Sequence, residues 1–199
     1  MKQMQDLAET KIIVTGFGGQ GIILLGRIIG KAASLVDGNE STLVQSYGPE
    51  SRGGACSAQV IISANPIHYP YVNQADILIC MSQGGYKKYI VQLKEKGALI
   101  VDEDLVKPDP GDFDAYHVPA TRMAEALGQK MMANIILIGF LTAVIPAVSV
   151  NAARETIRQS VPRGTEELNL AAFAKGYDHC LAVLKGREKK AAGHTGAIA

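Results

Sequence analysis

The sequence predicts an α/β protein: a Rossmann-like, mostly parallel sheet flanked by helices, with a helical carboxy-terminal portion. Three observations carry that expectation. Residues 11–16, KIIVTG, form a β-branched run that closes on glycine, as a buried parallel strand does. The turn Gly16-Phe17-Gly18-Gly19-Gln20-Gly21 fits G-x-G-x-x-G. Behind it, Ile22, Ile23, Leu25, Ile28, Ile29, Ala32 and Ala33 recur at helical spacing within residues 20–35.

The remaining elements follow in order. Residues 41–47 and 55–63 suit strands, separated by the Gly48-Pro49 stop. The near-continuous apolar run 76–82, DILICMS, reads as a fully buried strand, with a helix over 84–94 behind it and a strand over 98–102 ending on Asp102. After Pro108-Asp109-Pro110-Gly111, a short strand over 115–118 precedes helices near 121–127, 131–145, 151–159 and 170–185. The last of these places Leu170, Phe173, Ala174, Tyr177, Cys180, Leu181 and Leu184 on one stripe. The tail 186–199, charged and then rich in glycine and alanine, is expected to fray.

Composition excludes several classes. Twenty basic against 19 acidic residues leave a formal charge of +1, without the basic excess that attracts phosphate backbones, so no nucleic-acid partner is expected. Cys56, Cys80 and Cys180 lie far apart with no C-x-x-C pairing. They suit buried thiols in a reducing compartment and fall short of the four thiolates of a usual iron–sulfur cluster. Residues 1–10 contain no apolar signal region, which points to a cytoplasmic protein. Residues 131–148, MMANIILIGFLTAVIPAV, approach the length of a membrane span. Asn134, Gly139, Thr142 and Pro146 interrupt that run and basic flanks are lacking, so a buried core helix is expected and no membrane association.

Two constellations carry candidate chemistry. In the glycine turn, backbone amides at a helix start face outward with partial positive charge and accept an anion, at about 0.3–1 kcal/mol from the dipole. A dinucleotide site also needs an acidic residue closing the second strand, where this chain has Gln45-Ser46-Tyr47. Tight strand-to-helix packing, an anion and a protein partner all remain open for the turn. The second constellation, Tyr47-Gly48-Pro49-Glu50-Ser51-Arg52-Gly53-Gly54, surrounds one guanidinium with glycines. It reads either as a loop that lets a ligand carboxylate or phosphate approach Arg52, or as an ordinary turn with Glu50 and Arg52 paired. His68, His117, His179 and His194 have no metal-ligand spacing, and neither a G-x-S-x-G elbow nor a Walker loop occurs.

Taken in order, GFGGQGIILLG at 16–26, QSYGPESRGGACSAQVIIS at 45–63, ADILICMS at 75–82 and ALIVDEDLV at 98–106 resemble the gamma subunit of 2-oxoacid:ferredoxin oxidoreductases. PATRMAEALG at 119–128, ANIILIGFL at 133–141 and LNLAAFAKGY at 168–177 continue the likeness, giving one gamma-type domain over residues 11–185. The resemblance implies a share in CoA-dependent oxidative decarboxylation of a 2-oxoacid to an acyl-CoA and CO2, with reduction of ferredoxin. It also implies alpha, beta and delta partner subunits carrying thiamine diphosphate, Mg2+ and iron–sulfur clusters. This chain, whose Gly111-Asp112 continues to Phe113 and so lacks a thiamine GDG motif, is expected to bind none of these cofactors alone and to be inactive in isolation. No catalytic or metal residue is assigned to it. Gly18, Gly19, Gln20 and Gly21, with Ser51, Arg52 and Gly53, are the candidate contacts to coenzyme A or a partner subunit. The YGPESRGG wording, with Ser82-Gln83, resembles the 2-oxoglutarate branch, with pyruvate, branched-chain 2-oxoacids and indolepyruvate as alternatives. A free-standing Rossmann-type nucleotide-binding protein is the competing reading, and the isolated subunit is expected to self-associate through its partner-facing patch.

Overall fold

A computed structural model describes residues 9–47, 55–111 and 115–195. Its six strands are β1 (Glu9–Phe17), β2 (Glu40–Tyr47), β3 (Ala55–Ser63), β4 (Ala75–Cys80), β5 (Leu93–Asp102) and β6 (Tyr116–Val118). They form one sheet in the order β2-β3-β1-β4-β5-β6. The β1–β4, β4–β5 and β5–β6 pairings are parallel, whereas β3 runs antiparallel to both β1 and β2. The sheet is therefore mixed and mostly parallel, as expected, with β3 as its one reversed strand. The cause is the short connection after β2, which can only return the chain as a hairpin. Tyr47 pairs with Cys56 and Phe17 with Ala55, so both flanks of residues 48–54 leave the sheet beside the end of β1.

Alternation along the strands sorts side chains into two layers of unequal depth. Ile12, Val14, Val60, Ile77, Ile79 and Ile100 point into a deep core built by the helices α1 (Ile22–Lys31), α3 (Ala120–Glu125), α4 (Ala133–Val144), α5 (Val150–Ser160) and α6 (Glu166–Thr195). Ile13, Ile61, Leu78, Leu99 and Val101 face a thinner layer made by α2 (Gln83–Tyr89) and the loops after β3 and β5. There, Tyr86 is fully buried and Tyr89 shares a 2.8 Å hydrogen bond with Ser57.

The long apolar run becomes α4, whose residues 133–142 are all buried. It is the central helix of the deep layer, packed on α6. The crossing is close because glycine faces backbone from both sides: a Cβ at Gly139 would strike Phe173 O, and one at Gly176 would strike Ile136 O. No helix among the described residues is long and apolar enough to cross a membrane.

Three boundaries differ from expectation. The helix over 84–94 ends at Tyr89, and a 3-10 turn, Ile90–Gln92, leads straight into β5. Register explains the early strand: Ala75 pairs with Leu93 but Ile77 with Ala98, so residues 94–97 bulge outward. Lys94 uses the bulge to reach Asp76 at 2.6 Å, while the Lys11 N–H donates to the same carboxylate at 2.8 Å. At the end of α1 the chain widens into a π turn, Ala32–Val36, before Asp37 caps α5 by accepting from the Ser149 N–H and hydroxyl, both at 2.7 Å. Finally, α6 begins at Glu166 and continues past Lys185 through Gly186 to Thr195, where the sequence reading ended the helix and began a tail.

Candidate functional site

At the carboxyl end of β1 the chain must leave the sheet and start α1 within a few residues, and glycine makes that geometry accessible. Gly19 and Gly21 adopt φ of +94° and +74°, in the left-handed region. Gly21 is the N-cap of α1, no side chain caps it, and its carbonyl accepts the first helical bond from the Leu25 N–H at 2.9 Å. The preceding amides of Ile22, Ile23 and Leu24 thus have no partner within the helix.

Gln20 holds the turn. Its Oε1 accepts the Phe17 N–H at 2.6 Å and its Nε2 donates to Met81 O at 2.9 Å, tying the end of β1 to the residue after β4. The side chain spans the point where strand order switches between β1 and β4, the crevice that holds ligands in open α/β sheets. Its amide is committed to the backbone on both sides. Glycine at position 16 leaves room for this brace, since a Cβ there would lie 2.5 Å from Gln20 Oε1 and push it aside.

The open space lies instead on the helical side of the turn. A cleft of about 580 Å3 is walled by Phe17, Gly18, Gly19 and Gly21, the first turn of α1, Tyr47 and Cys56. Opposite them stand Met131, Met132, Asn134 and Ile135 at the start of α4, and Pro162, Thr165 and Asn169 at the start of α6. Three helix N-termini therefore open on one cavity, and none of its described lining residues is charged. Asn134 joins two of them: buried, it donates from Nδ2 to Gly21 O at 3.3 Å and accepts the Ile135 N–H at 2.8 Å. Glu166 and Glu167 in the first turn of α6 offset that helix's dipole. The Cys56 thiol is 5% exposed, and burial raises its pKa, so it faces the cleft as a neutral, weakly polar group. Phe17, Tyr47 and Met131 are 44%, 67% and 72% exposed, and they give the mouth an apolar rim that a ligand or partner can cover.

Of the residues singled out from sequence, Gly18, Gly19, Gln20 and Gly21 come together at this cleft, three as lining and Gln20 as the brace beneath. Ser51, Arg52 and Gly53 lie outside the described residues, though the flanks of their loop, Tyr47 and Cys56, line the same cavity. Asp102 does not join them. Fully buried at the end of β5, it accepts from the Thr121 hydroxyl at 2.7 Å and the Asp104 N–H at 3.3 Å, and so anchors the loop and α3. Sequence reasoning missed Asn134, Met131, Thr165 and Asn169. The one signal available was Asn134 itself, a polar residue at the start of a helix whose only other polar side chain is Thr142.

A dinucleotide site is not reproduced. The strand beside β1 is the antiparallel β3, which brings Ala55, Cys56 and Ser57 to that edge where an acidic ribose ligand would be needed. Among the described residues no group of three or more His, Cys, Asp or Glu could hold a metal ion.

Fold and cleft together define a Rossmann-like α/β domain whose glycine turn borders a cavity between helix ends with no charged residue in its described lining. The chain belongs to the pyruvate ferredoxin/flavodoxin oxidoreductase family, whose model matches residues 11–179. It is 49% identical over 182 residues to the 2-oxoglutarate synthase subunit KorC of Methanocaldococcus jannaschii, covering 89% of this chain and 97% of that protein. The crystal structure of a keto/oxoacid ferredoxin oxidoreductase gamma subunit from Geobacter sulfurreducens superposes with a TM-score of 0.77 at 39% identity, covering 87% of this chain and 99% of that one. The 2-oxoglutarate:ferredoxin oxidoreductase of Magnetococcus marinus, solved with 2-oxoglutarate, coenzyme A and succinyl-CoA bound, matches with a TM-score of 0.81 at 24% identity. There, 89% of this chain corresponds to 32% of a longer polypeptide, a likeness of fold.

Proposed function

We propose that this chain is the gamma subunit of a 2-oxoglutarate:ferredoxin oxidoreductase and that its cleft receives coenzyme A. The observation that carries the first part is the near full-length, 49% identity to a 2-oxoglutarate synthase subunit. In the complex, a 2-oxoacid is decarboxylated, its acyl group passes to CoA, and the electrons go to ferredoxin. Thiamine diphosphate, Mg2+ and the iron–sulfur clusters belong to the alpha, beta and delta partners, and this chain supplies a binding surface.

The cleft's chemistry supports the second part. An uncharged, largely apolar cavity suits the pantetheine arm, and the amides at Gly18, Gly19 and Gly21 offer donors to its polar groups. Gln20 keeps that turn in shape. Arg52, flanked in sequence by Ser51 and Gly53 in the segment that joins β2 to β3, supplies a guanidinium for phosphate.

The test uses the reconstituted complex, following CoA-dependent reduction of a viologen dye with 2-oxoglutarate or pyruvate. Activity is expected with 2-oxoglutarate and only when this chain is present, and Arg52→Ala is expected to raise the apparent KM for CoA. Full CoA-dependent turnover in a complex lacking the chain would reject the assignment. An unchanged KM in the variant would remove Arg52 from the CoA path.

A further inference from the structure

We infer that the free edge of β2 pairs with the same edge of a second copy of this chain, continuing the sheet across a two-fold axis. Among the described residues β2 is bonded to β3 alone, so one side of Glu40–Tyr47 offers backbone N–H and C=O groups without a strand partner. Proteins usually block such an edge with proline, lysine, a bulge or extreme shortness. None is present: ESTLVQSY contains neither residue, and its register with β3 is unbroken over eight residues. What fits an open ladder of this length is another β-strand.

Geometry and charge favour a second copy as its source. The opposite edge of the sheet, β6, is only three residues long, and a β2-to-β6 contact would be head-to-tail and non-closing. A β2-to-β2 contact uses nearly the whole strand, Glu40 to Ser46, and closes. A two-fold axis normal to the sheet sets residues of the same face opposite each other. Centred on Leu43, it places Leu43 against Leu43, Thr42 against Val44 and Glu40 against Ser46. Glu40 is the strand's one charged residue, so no like charges meet. With a formal net charge of +1, the copies also repel each other little. Beside the edge, the π turn that lies against β2 exposes Leu35 by 74% and Val36 by 46%, and the pairing would cover both.

Sedimentation of the full chain reads the outcome, with circular dichroism checking the fold. Ser46 and Glu40 are both exposed, so Ser46 can be changed without touching the core. Ser46→Glu sets a carboxylate opposite the second copy's Glu40 at both ends of the ladder, and Ser46→Lys sets an ammonium there. A reversible dimer is expected whose dissociation constant is roughly tenfold higher for Ser46→Glu than for Ser46→Lys, from two cross-strand pairs. Leu43→Cys should form a disulfide-linked dimer on mild oxidation. Monomeric sedimentation at every concentration, or equal dissociation constants for the two Ser46 variants, would overturn the inference. So would Leu43→Cys linking to a different subunit in the assembled complex.

Discussion

Two regions of this molecule depend on glycine and use it for opposite reasons. At the α4–α6 crossing, Gly139 and Gly176 are surrounded, and an added Cβ on either would run into backbone. In the turn after β1, Gly19 has nothing within 4 Å of where a Cβ would go, and what singles it out is its φ of +94°. In the first region glycine removes volume so that two helices can touch. In the second it permits a backbone path that leaves helix amides facing a cavity. The crossing holds the start of α4 in place, and through Asn134 it sets the far wall of the cleft against α1.

The largest effect should come from breaking the crossing. Gly176→Ala or Gly139→Ala sets a methyl against a carbonyl that cannot rotate away, so the helices must separate, at a cost of about 3 kcal/mol. Urea denaturation would register the loss as a lower midpoint with an unchanged slope. If the chain absorbs either change without losing stability, the helix layer is looser than these backbone contacts imply.

A smaller effect is expected in the turn. Gln20→Ala removes the acceptor for the Phe17 N–H and the donor to Met81 O, about 1–2 kcal/mol in all. Gln20→Glu is sharper, because a carboxylate can accept from Phe17 but cannot donate to Met81. If the two hydrogen bonds act as a brace, both variants should lose stability, and in the complex their CoA affinity should fall with the shape of the turn. A Gln20→Glu variant as stable as the parent would mean that the Met81 bond contributes nothing.

These two regions also differ in how far the sequence discloses them. KIIVTG closing on GFGGQG announces β1, the turn and α1, because alternation, glycine and helical period coincide there. Local pattern says little about partners. ACSAQVIIS reads as a strand, but its reversal relative to β1 depends on the hairpin that inserts it between β1 and β2. The helix expected over 84–94 takes in Leu93 and Lys94, and residues 95–97 carry no strand alternation; in the structure 94–97 form a bulge in β5, with Lys94 held by Asp76. The first turn of α6 was missed although Glu166 and Glu167 mark a helix start. For the site, the glycine half was visible as a contiguous motif. The other half, Asn134 with Thr165 and Asn169, sits more than a hundred residues further on and is assembled only when α4 and α6 pack.

Asp102 provides the subtlest test of where scaffold ends and site begins. It closes β5 on the edge where parallel strands usually present functional groups, yet its oxygens serve Thr121 and Asp104 inside the protein. Burial pushes its pKa above the usual carboxylate value, against the Thr121 hydrogen bond, and the neighbouring Asp104 carboxylate pushes the same way. The folded state thus holds the proton more tightly than the unfolded chain. Its contribution to stability is complete below the unfolded pKa and is lost as pH rises through the higher folded value. Asp102→Asn keeps an acceptor for Thr121 but cannot ionise, so the variant should gain on the parent as pH rises through that window. Measured by denaturation across the acid range, the stability difference should slope with pH and then level off near neutrality. A difference independent of pH would mean that the carboxylate keeps its ordinary affinity for the proton, and that the end of β5 is better solvated than its burial indicates.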